Sequence, residues 1–277
     1  MAGMDWRQRP LLDEPVALLA FTGWGDAGEA ASQAAIALLD SYDTELVAII
    51  DSDEHYDFQV RRPVTELDED GARSIVWPDI EIHVVWGAGR DLVVVVGDEP
   101  HYRWKSFSRE LSGALRSLGV HRAVALGAFI GQVAHTLPVP LIGSSNRPEL
   151  LAPWGLLPSN YEGPTGIVGV LTSELAAAEI DTMAIWAAVP HYLSNQDYPP
   201  GTRALVQKTA ELLDLTVDLG ELDDATHQYL STVDEAIAAN GELIDYVQRL
   251  EEEADEVDTE ETMRLVSEIE DFLRDQS

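Results

Sequence analysis

The chain has 277 residues, of which 45% are hydrophobic, so it can bury one large core or two small ones, which excludes disordered and fibrous proteins. Fifty Asp and Glu against 17 Lys and Arg give a formal net charge of -33, which would repel a nucleic-acid backbone. The sequence has no cysteine, which excludes disulfides, thiolate nucleophiles and cysteine-based metal sites.

We expect a cytoplasmic protein with neither a membrane nor a nucleic acid as partner. The first ten residues, MAGMDWRQRP, lack the apolar core of a signal peptide. No stretch approaches the roughly 20 apolar residues that a helix needs to cross a bilayer. The excess of Asp and Glu also argues against nucleic-acid binding, since the few cations would have to cluster on one face to bind phosphates.

The N-terminal part predicts a strand, a helix and a second strand. The apolar run at 16–21 indicates a strand that stops at the Gly-rich turn 22–25. Asp26 and Glu29 then have the spacing of a helix-capping box, and alanines with scattered Ile and Leu supply the apolar surface of the helix. The next strand is predicted at 45–50, so this part of the chain predicts one βαβ unit.

The middle of the chain predicts a hairpin, a helix and a strand. Two β-branched runs, 80–86 and 91–96, are separated by Gly-Ala-Gly-Arg, which has the chemistry of a hairpin turn and implies a mixed sheet. Apolar residues recur at helical intervals over 103–118, and Gly119 suits the position that ends a helix. Residues 121–129 then predict a further strand.

The following part predicts a long loop and the last elements of the sheet. Residues 131–166 are rich in Gly, Pro, Ser and Asn without periodicity, and a connection of this length is expected to carry binding or catalytic groups. A strand is predicted over 167–171, a short helix over 173–179, and a buried strand over 183–189. A helix over 202–213 is expected to close the layer.

This order of elements predicts the α/β class. Strands and helices alternate and the central strands are fully apolar, which is typical of a three-layer α/β/α domain with a mixed, mostly parallel sheet. We assign residues 1–219 to this domain. Residues 220–277 are predicted to form an acidic helical C-terminal extension that packs on the domain.

The extension is distinguished by its charge and by its apolar periodicity. Residues 221–277 hold 19 acids and three Arg, a net charge of -16. Apolar side chains nevertheless recur at helical spacing over 222–250, which a solvated tail does not need. Breaks are predicted at 240–241 and near Asp258. The last predicted helix carries the apolar stripe Leu265, Ile269, Phe272 and Leu273.

The turn after the first strand matches the pattern G-x-G-x-x-G. Gly23, Gly25 and Gly28 provide the three glycines, which follow a strand and precede a helix as in phosphate-binding loops. Bulky Trp24 lies between the first two glycines, however, and Asp26 would repel a phosphate. The turn is therefore either a loop that contacts a ligand or a tight turn whose Trp24 packs or faces a partner.

Polar side chains that could act as acids or bases lie near the ends of predicted strands, where open α/β sheets bind ligands. They are Asp98, Glu99, His135, Glu162 and His191. Structural alternatives remain open, since Glu99 could begin a helix and Glu162 could cap loop amides. No complete triad, nucleophile elbow or metal motif accompanies them, so we predict no metal and no cofactor.

Six segments in this order resemble the proteasome assembly chaperone 2 family, particularly its actinobacterial cytosolic branch. They are FTGWGDAG, WPDIEI, GDEPHYRWKSF, GAFIGQVAHTLPV, YEGPTGIVGVL and WAAVPHYLSNQDYPP, and the resemblance covers about residues 10–275. It implies a phosphorylase/hydrolase-like α/β/α fold, a helical C-terminal extension and self-association. Eukaryotic and archaeal relatives are implicated in assembling proteasome α-rings, and the family implies no catalytic residues.

The leading hypothesis is a non-enzymatic protein-binding factor related to proteasome assembly chaperones. Its partners would be further copies of itself, with a trimer among the options, and proteasome subunits. Seven residues are candidates for the binding surface: Gly23, Trp24, Asp26, Arg103, Tyr161, Tyr192 and Asn195.

The alternative is a small-molecule hydrolase or phosphorylase-like enzyme that uses the five strand-end residues Asp98, Glu99, His135, Glu162 and His191. Those side chains would then have to lie within roughly 10 Å of one another, because catalytic groups need hydrogen-bond reach to one substrate.

Overall fold

The computed structural model describes residues 4–68, 71–159 and 161–255. The strands are β1 (Met4–Trp6), β2 (Val16–Thr22), β3 (Asp43–Ile50), β4 (Val64–Leu67), β5 (Arg73–Val76), β6 (Ile80–Trp86), β7 (Leu92–Asp98), β8 (Arg122–Gly131), β9 (Leu141–Ser145), β10 (Leu157–Pro158) and β11 (Asp181–Pro190). The α-helices are α1 (Ala30–Asp40), α2 (Trp104–Ser117), α3 (Ile167–Ala177), α4 (Pro199–Leu213), α5 (Gly220–Ala238) and α6 (Gly241–Asp255).

The described residues form a nine-stranded mixed sheet in the order β1-β3-β6-β7-β2-β8-β11-β9-β10. The four central strands β7, β2, β8 and β11 run parallel. On one side β1, β3, β6 and β7 pair in antiparallel fashion, so the predicted β6–β7 hairpin is confirmed. On the other side β9 is antiparallel to β11 and parallel to β10.

Helices cover both faces of the sheet, which confirms the predicted three-layer α/β/α architecture. Alternate residues of β2 point to opposite faces because strand side chains have a period of two. Leu18 and Ala20 pack under α1 and α4, whereas Leu19 and Phe21 pack under α2 and α3. All four side chains are buried, as expected for a central strand of an α/β sheet.

The predicted strand over 167–171 is wrong, because these residues form the first part of α3. The β-branched run that favoured a strand places Ile167, Leu171 and Leu175 at intervals of four on the buried side of this helix. The carboxylate of Glu99 accepts a hydrogen bond from the Ile167 amide at 2.6 Å. This contact comes from a distant part of the chain and satisfies a donor at the start of the helix.

The capping box predicted for α1 is also wrong in detail. Asp26 does bind amides in the first turn of α1, but Glu29 lies before the helix in the left-handed region and does not reach back to the Asp26 amide. The Asp26 amide instead donates to the Gly23 carbonyl at 3.1 Å. A short 3-10 turn therefore separates the cap residue from the helix.

The C-terminal helices α5 and α6 pack on the rest of the chain through apolar residues. Tyr229 of α5 contacts the core on the α4 side, and Val247 and Leu250 of α6 pack against Ala134. The predicted break at 240–241 is confirmed, since α5 ends before it and α6 begins there. The predicted break near Asp258 and the stripe from Leu265 to Leu273 lie outside the described residues. The division at residue 219 stays a prediction.

A two-stranded ribbon of β4 and β5 stands apart from the main sheet. We call residues 60–68 and 71–77, which contain this ribbon, the arm. Its large apolar side chains are between 44% and 71% exposed, and they are Val60, Val64, Leu67, Ile75, Val76 and Trp77. The arm thus carries most of the large apolar side chains that the described surface exposes.

The described helices include none that is both long and apolar enough to span a bilayer.

Candidate binding cleft

The central sheet splits between β2 and β8. The two strands pair only from Val16 to Leu19, after which β2 stays with β7 and β8 stays with β11. The gap closes again where the Ala128 amide donates to the Gly25 carbonyl at 2.8 Å. The connections after β2 and β8 leave towards opposite edges of the sheet, so the split lies at the topological switch point, where open α/β sheets bind ligands.

A cleft of about 1010 Å³ lies at this split. Four parts of the chain form most of its wall: the turn at 23–29, the end of β8, the residues at 159 and 161–165, and the segment 191–197 that follows β11. Side chains of β9, the ring of Trp186 on β11 and Gly169 of α3 also contribute to it. The cleft is therefore built by segments that are far apart in the sequence.

Two glycines make room for the Trp186 ring. Gly127 lies opposite Trp186 in the β8–β11 register, and a Cβ atom at Gly127 would lie 2.3 Å from Trp186 Cε3. A Cβ atom at Gly25 would lie 3.4 Å from the same ring. Because neither position carries a side chain, the indole packs closely against the backbone at both glycines.

Asp26 holds the turn at 23–29 against α1. Its Oδ1 atom accepts hydrogen bonds from the amides of Ala31 at 2.7 Å and Ser32 at 3.3 Å. Burial raises the pKa of the Asp26 carboxyl above its usual value, although hydrogen bonds from Ser32 and Ala31 oppose this shift. The Asp26 carboxylate thus occupies the amides that a phosphate would need, so the G-x-G-x-x-G pattern serves as a tight turn.

Gly28 fixes the other end of the turn. It has a φ of 59°, and a Cβ atom there would lie 2.7 Å from the Cβ of Tyr198. The Tyr198 amide donates to the Gly28 carbonyl at 2.8 Å. A residue with a side chain would meet both backbone strain and a clash at this position.

Asp98 and Glu99, at the end of β7, are engaged in internal contacts outside the cleft. The Asp98 carboxylate pairs with Arg61 and accepts a hydrogen bond from the Thr22 hydroxyl. Glu99 caps α3 and not the helix that follows it in the sequence. Neither residue lines the cleft.

His135 is buried and joins two loops to α5. Its Nδ1 atom lies 2.8 Å from the Tyr192 hydroxyl and its Nε2 atom 3.0 Å from Asp234 Oδ1. The His135 amide also donates to the Tyr192 hydroxyl at 3.0 Å. Burial raises the pKa of the Tyr192 phenol to about 12. We call His135, Tyr192 and Asp234 the clamp, since they hold the segments after β8 and β11 against a C-terminal helix.

The remaining acid–base candidates, His191 and Glu162, do not share a site either. His191 lines the cleft and packs edge-on against the rings of Tyr192 and Tyr246. Glu162 is exposed to solvent and does not line the cleft. Of the five residues that the enzyme hypothesis requires, only His191 therefore contributes to the cleft. No group of three or more potential metal ligands is found among the described residues.

Five of the seven candidate binding residues line the same cleft. Gly23, Trp24, Asp26, Tyr161 and Asn195 all line the cleft. Two others do not, because Arg103 pairs with Glu54 at 2.5 Å and Tyr192 belongs to the clamp.

Sequence reasoning missed Trp186, as well as Phe129 and Ile142, which also line the cleft. A lone Trp in a strand of small and aliphatic residues was a signal for Trp186. Its partner Gly127 could be recognised only from the strand register.

The fold and the cleft define a class of α/β/α proteins that have an open sheet, a cleft at the switch point and C-terminal helices packed beside it. The PAC2 family model matches residues 20–237. The chain belongs to the PAC2 family, and the family predicted from the ordered motifs is thus confirmed.

Solved structures agree with this assignment. A PAC2 family protein from Streptomyces avermitilis is 41% identical, with a TM-score of 0.77 over 84% of this chain and 99% of that chain. A proteasome-assembly chaperone homologue from Mycobacterium tuberculosis is 38% identical, with a TM-score of 0.76 over the same shares. A Mycobacterium tuberculosis protein of unknown function is 27% identical, with a TM-score of 0.82 over 92% and 91%. No curated protein matches the sequence.

Proposed function

We propose that this protein is a protein-binding factor that takes part in proteasome assembly and does not itself catalyse a reaction. The observation that carries the proposal is the 38% identity to the proteasome-assembly chaperone homologue of Mycobacterium tuberculosis over 99% of that chain. We further propose that it acts in the cytoplasm and that its client is a proteasome subunit.

The geometry of the strand ends supports a binding role over a catalytic one. Asp98, Glu99 and His135 each make hydrogen bonds or ion pairs that hold the fold together, which leaves them unsuited to exchange protons with a substrate. The cleft instead presents an exposed aromatic ring, Trp24, on a turn that Asp26 anchors. A preorganised aromatic side chain is a common anchor in protein–protein contacts.

The test combines purified proteasome α and β subunits from the source organism with and without this protein. Native gels and analytical ultracentrifugation would follow ring and half-particle formation over time. We expect faster assembly and a stoichiometric complex with one subunit. An unchanged assembly rate together with no complex at micromolar concentrations would overturn the proposal. Leu11→Ala is a suitable control for any variant of the cleft or the arm in this assay, since Leu11 is fully exposed and lies outside both.

We also propose that the protein forms a homo-oligomer, with a trimer among the options, through the arm. Six half-exposed apolar side chains present on the order of 500 Å² per protomer, as large as the largest apolar patch of a typical monomer. The β4–β5 register places Val64 and Val76 on one face of the ribbon and Leu67 and Ile75 on the other. Covering both faces with the arms of neighbouring copies would bury on the order of 1,000 Å² in total, which is where specific interfaces begin. A two-stranded ribbon is also marginally stable until something packs against it.

A further inference from the structure

The lining of the cleft is acidic and contains no strong cation. Asp26, Glu29 and Asp197 line it, together with His191, and among its described lining residues there is neither Lys nor Arg. Glu29 and Asp197 are exposed and lie on two different segments of the wall. A cleft lined by one sign of charge concentrates the electrostatic potential, and this chain has an overall charge of -33.

Two indole rings line the same cleft as these carboxylates. Trp24 is 56% exposed, on the turn that Asp26 and Gly28 hold in place, and Trp186 is partly buried on β11. An indole face attracts a guanidinium or ammonium group, because the ring quadrupole is negative above its plane. The combination of carboxylates and indoles is therefore complementary to a cationic side chain with an apolar stem.

The buried carboxylate of Asp26 also has an unsatisfied hydrogen-bond acceptor, a feature separate from the exposed charges. The residue is only 6% exposed, and its Oδ2 atom is buried without a hydrogen-bond partner among the described residues. An unpaired buried carboxylate oxygen is costly. Since Asp26 is among the residues that line the cleft, a donor bound there could provide the missing hydrogen bond once the turn adjusts to admit it.

We propose that this cleft binds a basic side chain, arginine in particular, within an exposed segment of the partner protein. The inference rests on the proposed function, because it assigns the cleft to a protein partner. Arginine fits better than lysine, since a planar guanidinium can stack on an indole and donate to carboxylates at the same time. The cleft of about 1010 Å³ is larger than one side chain requires and leaves room for neighbouring residues of the segment.

The experiment uses the full chain and three blocked hexapeptides, AARYAA, AAQYAA and AAEYAA, with binding followed by calorimetry and by the indole N–H signals in NMR spectra. We expect the arginine peptide to bind at least tenfold more tightly than the glutamine peptide, and the glutamate peptide not to bind. The affinity for the arginine peptide should fall as salt rises from 50 to 200 mM, because exposed charges are screened.

Two matched pairs of variants test the location of the site. Trp24→Ala should weaken binding of the arginine peptide about tenfold, whereas Leu11→Ala should not change it. Asp197→Asn should weaken binding several-fold, whereas Asp224→Asn, which removes the same charge from an exposed position on α5, should leave it within twofold. Equal effects of the two Asp variants would overturn the assignment to the cleft.

The other outcomes separate this inference from the proposed function. If the arginine and glutamine peptides bind equally, or if neither binds, the inference is wrong whatever the assembly assay shows. If arginine methyl ester alone binds as tightly as the peptide, the cleft is a site for a small cation and not for a protein segment. If the arginine peptide binds as expected while proteasome assembly is unaffected, the cleft chemistry stands and the proposed client is wrong.

Discussion

Asp26 shows how one residue connects the fold to the cleft. Its carboxylate binds the amides of Ala31 and Ser32 at the start of α1, and this contact fixes the turn that presents Trp24. The same burial that makes the cap strong also removes water from the carboxylate, which raises its pKa. The residue therefore stabilises the helix at some electrostatic cost.

We predict that this cost appears as a pH dependence of stability. The folded state binds the Asp26 proton more tightly than the unfolded state, whose carboxyl titrates near pH 3.9. The contribution to the free energy of unfolding is thus most favourable below that pH. It declines as the pH rises from about 4 through the raised pKa of the folded state, and it is constant at higher pH.

Asp26→Asn isolates this effect, because the amide oxygen can still accept from the two amides while the group no longer ionises. Urea unfolding of both proteins should be measured at several values between pH 4 and pH 8. The stability of the variant relative to the wild type should increase with pH over this interval and then level off. A difference that stays constant across the interval would show that Asp26 does not titrate abnormally.

A second prediction at this scale compares two glycines. Gly127→Ala places a methyl group 2.3 Å from the Trp186 ring, so the indole or the strand must move. We expect a loss of about 1–3 kcal/mol in the free energy of unfolding. Gly113→Ala is the matched control, since Gly113 is exposed within α2 and its added Cβ would meet no atom within 4 Å beyond its chain neighbours and the backbone of its own helix.

The control should be stabilised by about 0.5–1 kcal/mol, because alanine loses less backbone entropy in a helix than glycine does. Thermal and urea unfolding would measure both variants. Opposite signs for the two substitutions support the tight packing of Trp186 over β8. A stabilised Gly127→Ala protein would contradict it.

At the scale of elements, the segment after β11 joins the cleft to the C-terminal helices. Residues 191–197 form one wall of the cleft, and Tyr192 in the same segment bonds to His135 of the clamp. The Gln196 side chain donates to the Tyr229 hydroxyl of α5 at 2.9 Å. We infer that α5 and α6 hold this wall in position.

Tyr192→Phe tests that coupling. The substitution keeps the ring but removes the hydroxyl that bonds to the amide and Nδ1 of His135, so both buried groups lose a partner. We expect a loss of about 1–3 kcal/mol in the free energy of unfolding. Amide hydrogen exchange should also become faster over 191–197, because that segment is less firmly held.

Tyr246→Phe serves as the comparison. It keeps the ring contacts with His191 and Tyr192 and should change the unfolding free energy by less than about 0.5 kcal/mol. If the two variants lose equal stability, the clamp hydroxyl has no special role.

At the scale of the whole molecule, the charge of -33 opposes association while the apolar arm favours it. Copies of the chain repel one another at long range, and the repulsion is reduced by salt. Contact through the arm is short-ranged and apolar. Self-association is therefore expected to strengthen when salt is added.

We predict that Leu67→Ser combined with Ile75→Ser shifts the protein towards its monomer mass of 30.4 kDa. Both side chains are more than half exposed, so the substitutions should leave the fold intact. Light scattering and sedimentation at several protein concentrations would measure the mass, and circular dichroism would verify folding. Leu11→Ser is the control for an exposed leucine outside the arm. A wild-type protein that is monomeric at all concentrations would overturn the proposal.

The order of elements could be predicted well because it depends on local patterns. The apolar runs of β2, β6, β7, β8 and β11 and the periodicity of α2 and α4 are local features, and the structure has all of them. The failure at 167–171 has a physical cause, since a short β-branched run fits either a strand or a buried helix. Glu99, which binds the first amide of α3, lies 68 positions away.

The sequence by itself determined the fold class, the family and the acidic, cysteine-free character of the protein, because these follow from composition, periodicity and ordered motifs. It also indicated five binding candidates that line the cleft, since turns after strands lie at one edge of a parallel sheet. Only the tertiary structure decided which side chains share the cleft. Trp186 fits over Gly127 because of strand register, and His135 belongs to the clamp because Asp234 of α5 approaches the loop after β8. Such contacts depend on packing between distant segments, which no local pattern encodes.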